Sequence, residues 1–191
     1  MRSGRLEAFS DGVIAIIITI MVLELRAPHD AGWQALQPLV ATFSSYVLSF
    51  VFVGIYWNNH HHMLHATEHV DGRILWANLH LLFWMSLIPF VTAWMGETSW
   101  AAIPTAFYGF VLLMAALAYS LLEAAIIAQQ GPESRLRAAL GNRRKEKISV
   151  AANVVAIAVA AVTPWASLAI YVGVALLWLV PDRRIATRLT E

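Results

Sequence analysis

The stretch MRSGRLEAFSDGVIAIIITIMVLEL (residues 1–25) decides the reading of this chain. Arg5, Ser10 and Asp11 stand at the mouth of an apolar run, and a helix through that run brings Ile16, Ile20 and Leu23 to one face. At 100° per residue, Ile20 lies about 40° from Ile16 and Leu23 about 20° to its other side, over about 10 Å of helix. Thr19 flanks that face with a hydroxyl, and Glu24 follows it. Ionisable groups leading into a membrane segment are costly and usually mark function. A stripe of branched aliphatics between wet ends either packs as core or forms a dry constriction when several copies surround an axis.

The composition places the whole chain in a membrane. Of 191 residues, 59% are hydrophobic and 13% charged, against about 25% charged in ordinary soluble domains. The mean hydropathy of +0.63 agrees. There is no cysteine, which excludes disulfide frameworks, thiol catalysis and zinc-thiolate sites. Asp11 sits where the apolar core of a cleavable signal peptide would begin, so the N-terminal run reads as a retained span.

Crossing about 30 Å of hydrocarbon takes roughly 20 apolar residues. The sequence predicts six transmembrane helices at 9–25, 35–57, 74–95, 101–128, 148–163 and 165–180, in one domain over 1–191. Residues 148–180 carry no charge, and one helix of that length would measure about 50 Å, too long for a single crossing. Thr163-Pro164-Trp165 supplies the break. With six spans and both termini cytoplasmic, 12 of the 13 Lys and Arg residues lie inside (Arg2, Arg5, Arg73, Arg135, Arg137, Arg143, Arg144, Lys145, Lys147, Arg183, Arg184 and Arg188) and Arg26 alone lies outside. Five spans would put Arg183, Arg184 and Arg188 outside. Tryptophans mark the interfaces: Trp33, Trp94, Trp100 and Trp165 outside, Trp57, Trp76 and Trp178 inside. The 129–147 segment reads as a basic cytoplasmic loop resting near anionic headgroups. Pro89 and Pro104 are expected to kink helices 3 and 4, and Glu123 to snorkel or pair with the basic loop.

This topology brings polar groups of three helices to one layer. Arg5, Ser10 and Asp11 open helix 1, the run Tyr56-Trp57-Asn58-Asn59-His60-His61-His62 ends helix 2, and Asn78 and His80 start helix 3. A carboxylate at this depth is tolerated when it is paired. Asp11 is expected to be held by Arg5 or a histidine, with Ser10 and Asn78 completing the network. Such a network is either a clamp that fixes helix 1 or a clamp that also senses protons. His61 and His65, at i and i+4, invite a metal reading, but no second histidine box accompanies them. A proton-coupled transporter using Asp11 and the helix 2 histidines is the alternative function, and a membrane metalloenzyme a weaker one. No ATP site, phosphate loop or catalytic dyad is visible, so the chain is read as a non-enzyme, without cofactor or nucleic-acid partner.

Four short elements, in order, resemble the transmembrane protein 175 potassium channel family. They are Arg5-x-x-x-Phe9-Ser10-Asp11, Trp57-x-x-His60-His61 after helix 2, Asn78-Leu79, and Leu87-Ile88-Pro89-Phe90-x-Thr92-Ala93. Val91 stands where the pattern has a second proline. Bacterial members of the family are single-repeat six-helix proteins. The resemblance implies a passive potassium channel in a bacterial plasma membrane, assembled as a homotetramer with helix 1 around a central pore. It implies aliphatic rings at Ile16, Ile20 and Leu23 as the constriction, in place of a carbonyl filter, and no Thr-Val-Gly-Tyr-Gly segment occurs. Thr19 and Glu24 would meet the ion. Arg5, Phe9, Ser10, Asp11, His60, His61 and Asn78 would position the pore helix.

Overall fold

In the computed structural model, which describes residues 3–67, 69–131, 134, 136–137 and 143–179, the first apolar run forms a 20-residue helix, α1 (Gly4–Leu23). Arg2, Arg135, Arg183, Arg184 and Arg188 of the charge count, part of the basic loop and the last residue of the 165–180 span lie outside the described residues. The buried positions of α1 are Leu6, Ser10, Ile14, Ile17 and Met21, spaced by threes and fours and therefore on one face.

A 3-10 helix (Trp33–Leu39) leads into α2 (Val40–His65). Here the structure corrects the sequence reading: α2 does not end at Trp57 but continues to His65, so His60 and His61 lie on the helix rather than after it. The polar run does not break the helix because its side chains bond within the bundle. Asn59 Nδ2 donates back to the Ile55 carbonyl at 2.9 Å, and Tyr119 caps the Asn59 carbonyl at 3.2 Å.

Asp71 caps α3 (Gly72–Ser86), its carboxylate accepting from the Ile74 N–H at 2.9 Å. The helix then breaks at Leu87 and resumes as α4 (Ile88–Glu97). Pro89 lacks the N–H that would bond the Met85 carbonyl, and its ring crowds that carbonyl, so the break falls just before it. Pro104 makes no kink. It sits in the first turn of α5 (Ala102–Gln130), where a helix has no use for the N–H. α5 stops at Gly131, whose φ of 77° lies in the region glycine tolerates best. α6 (Arg144–Ala160) and α7 (Pro164–Leu179) are separated at the expected Thr163-Pro164 break.

Among the described residues, four segments, 4–23, 33–65, 72–97 and 102–130, are long and apolar enough to cross a membrane. α6 and α7, of 17 and 16 residues, are shorter. α5 packs against α3, α4, α6 and α7, whereas α1 lies against α2, α3 and α4.

Small residues let these helices approach. Tyr171, fully buried on α7, passes over Gly109 and donates to the Thr105 carbonyl at 3.1 Å. A Cβ at Gly109 collides with the Tyr171 hydroxyl. Gly109→Ala is therefore expected to expel the ring and lose that hydrogen bond, costing about 2–4 kcal/mol. Thermal unfolding of purified protein checks this: a clear fall in Tm is expected, and an unchanged Tm contradicts it.

Candidate functional site

The amino-terminal half of α1 is tied to its neighbours by three sets of polar contacts. The buried set runs through Ser10, Asn78 and His60, each fully enclosed. Ser10 Oγ donates to the Leu6 carbonyl at 2.8 Å and accepts from Asn78 Nδ2 at 2.9 Å. His60 Nε2 donates to Asn78 Oδ1 at 2.7 Å, leaving its Nδ1 buried without a partner. One amide thus joins α1, α2 and α3, and its satisfaction in a water-poor layer makes the junction hard to rearrange.

The other two sets lie nearer the surface. Trp57 Nε1 donates to Asp11 Oδ1 at 3.0 Å, and His61 Nδ1 lies 2.9 Å from Glu7 Oε1. Asp11 is therefore held by neither Arg5 nor a histidine. Arg5 is exposed, with no partner among the described residues. The signal for the true pairing was present in the spacing. Glu7 and Asp11 are four apart on α1, Trp57 and His61 four apart on α2, and two such pairs align when helices pack side by side. The Trp57 and His61 rings stack on each other at 6.2 Å, and His61 on His65 at 6.0 Å. Among the described residues no group of three or more His, Cys, Asp or Glu converges as a metal site.

With that face of α1 held inward, the opposite face turns out of the bundle. Ile16 is 58% exposed, Ile20 42%, Leu23 79% and Phe9 52%. Thr19 lies on the same side, its hydroxyl donating to the Ile16 carbonyl at 2.9 Å. Glu24 is exposed and closes the helix, its N–H bonding the Ile20 carbonyl at 3.2 Å. Beside the stripe runs an open apolar groove, bounded by Ile17 and Ile20 on α1 and by Ser86, Pro89, Phe90 and Ala93 around the α3–α4 break.

Residues 5–89 match the family profile described as endosomal/lysosomal potassium channel TMEM175. Over its whole length the chain is 51% identical, across 191 residues, to all of a potassium channel from Chryseobacterium sp. (strain P1-3). The chain belongs to the TMEM175 family. The crystal structure of a lysosomal potassium-selective channel TMEM175 homolog from Chamaesiphon minutus superposes with a TM-score of 0.82 at 25% identity, covering 95% of this chain and 97% of that one. The mouse endosomal/lysosomal proton channel TMEM175 is 27% identical over 93 residues, 46% of this chain and 19% of the mouse protein. The chain is thus a multi-pass membrane protein of an ion-channel family. The TMEM175 profile spans Arg5, Asp11, Trp57, His60 and Asn78, and ends at Pro89, just past the α3–α4 break.

Proposed function

We propose that the protein is a passive, potassium-selective cation channel of a bacterial plasma membrane, built from four copies that place α1 of each around a central pore. The rotational setting of α1 carries this reading. The clamp at Glu7, Ser10 and Asp11 turns Ile16, Ile20 and Leu23 away from the chain's own bundle. Four such stripes around an axis make three aliphatic rings, dry between the polar cytoplasmic entrance and Glu24 at the far mouth. Thr19 offers a hydroxyl oxygen between the first two rings. Potassium is preferred because it sheds water more cheaply than sodium at a narrow apolar neck.

The single repeat supports four copies by closed symmetry. The apolar groove beside α1 extends the surface that a neighbouring copy would cover. Six crossings with both termini inside keep the Lys and Arg excess on the cytoplasmic side. Ser10, Asp11, His60, His61 and Asn78 hold the pore helix in register, whereas Arg5 and Phe9 lie outside these contacts.

Purified protein in liposomes tests the reading, with potassium and sodium loaded separately and valinomycin setting full potassium equilibration. Potassium uptake that exceeds sodium uptake and needs no pH gradient is expected. A second reading, proton-coupled transport through Asp11 and the α2 histidines, draws on the Glu7–His61 contact at the same end. It requires uptake that appears only under a pH gradient.

A further inference from the structure

The Trp57, His61 and His65 rings form a column on one face of α2, each about one turn from the next. His61 stands in the middle of it. Trp57, its own indole fixed by Asp11, stacks on one side of that ring, and His65 stacks on the other. From α1, Glu7 Oε1 meets His61 Nδ1 at 2.9 Å.

This last contact decides what the ring can do. An ionised carboxylate only accepts, so Nδ1 carries the proton, and in the neutral ring Nε2 is left with a lone pair. A carboxylate behind the other nitrogen is the usual support of a metal-ligating histidine, since it fixes the tautomer and raises the basicity of the ligating atom. His65 lies exposed one turn further on, and among the described residues no hydrogen bond or ion pair occupies its ring. Spacing of i and i+4 lets one helix face present two imidazoles to one ion. His62 stands about 100° round the helix from His61 and meets that ring edge-on.

The donor set also selects the ion. Hard cations such as Mg²⁺ and Ca²⁺ take oxygen ligands. A structural zinc site closes with four protein ligands, whereas among the described residues no three His, Cys, Asp or Glu converge. Two imidazoles, with water completing the sphere, suit the tetragonal nitrogen and oxygen coordination of Cu²⁺ and Ni²⁺.

We propose that His61 and His65 bind a divalent ion of the copper–nickel class at the carboxyl-terminal end of α2, with Glu7 of α1 supporting His61 from behind. The site is complete within one chain, so its test needs no ion flux and does not depend on the channel reading. Tag-free full-length protein is titrated with NiCl₂ while tryptophan emission is followed, since bound Ni²⁺ quenches an indole beside it. Saturable quenching is expected, reversed by EDTA and not produced by Mg²⁺. His65→Ala, at an exposed position, abolishes it, and His62→Ala leaves it in place. Glu7→Ala weakens Ni²⁺ binding about tenfold or more. Trp57→Phe removes most of the quenching, while equilibrium dialysis still finds one ion per chain. Quenching linear in Ni²⁺, or saturable quenching that survives His65→Ala, overturns the proposal. Wild-type affinity in Glu7→Ala overturns it as well, because His61 then binds without its carboxylate.

Discussion

Replacing Ile16 with asparagine is expected to raise sodium flux through the reconstituted protein and to bring the potassium-to-sodium ratio toward unity. Ile16 is the first aliphatic of the outward stripe and the closest to the polar end of α1. In the proposed tetramer four asparagines there would wet the neck, so an ion would keep more of its hydration shell as it passes. A barrier lowered by ~1.4 kcal/mol corresponds to a tenfold gain in rate, the order expected for sodium, with a smaller gain for potassium. Ile16 makes no buried contact of the kind Ile14 and Ile17 make, so the fold should tolerate the change. Paired sodium and potassium uptake measures it. If Ile16→Asn, Ile20→Asn and Leu23→Asn all leave flux and ion preference untouched, the pore is not on this face.

The second large effect falls on stability. Asn78→Leu is expected to cost about 3 kcal/mol, because it leaves His60 Nε2 and Ser10 Oγ short of partners in a fully buried layer. For a domain of this size that corresponds to a Tm lower by roughly 6–12 °C. Assembly should weaken in parallel, since α1 then loses the buried one of the three contact sets that set its rotation. Asp11→Ala removes a half-exposed contact to Trp57; it should cost less, and damage assembly more than ion preference. Unfolding and size-exclusion profiles of the two variants check the order. An Asn78→Leu protein as stable as the wild type removes the clamp from the account.

How much of this was legible in the sequence differs by element. The α6–α7 break could be read because Pro164 interrupts an uncharged run, and the bend before Pro89 because proline removes a bond inside a helix. Pro104 looked the same and was not, since the α5 start lies just before it and the first turn has no bond for proline to break. Periodicity placed the polar groups of α1, α2 and α3 in one layer, but partner choice within it was settled by packing. Asp11 meets Trp57 rather than Arg5 or a histidine because the packing of α1 on α2 sets Trp57 beside it. Spacing grouped Ile16, Ile20 and Leu23 on one face of α1 but left open whether that face packs as core. Which face is inward depends on Asn78 reaching both Ser10 and His60, a three-helix coincidence that no single segment encodes.

The absence of native cysteine allows the most direct test of which face of α1 meets the ions. Single substitutions to cysteine at Ile16, Ile20 and Leu23, and at Ile14 and Ile17 for comparison, can be exposed to silver ions during potassium flux. Silver binds thiolates and travels where small cations travel. The account predicts block at Ile16→Cys, Ile20→Cys and Leu23→Cys, and none at Ile14→Cys or Ile17→Cys. Block confined to Ile14→Cys and Ile17→Cys, or no block at the three outward positions in a protein that still conducts, contradicts it.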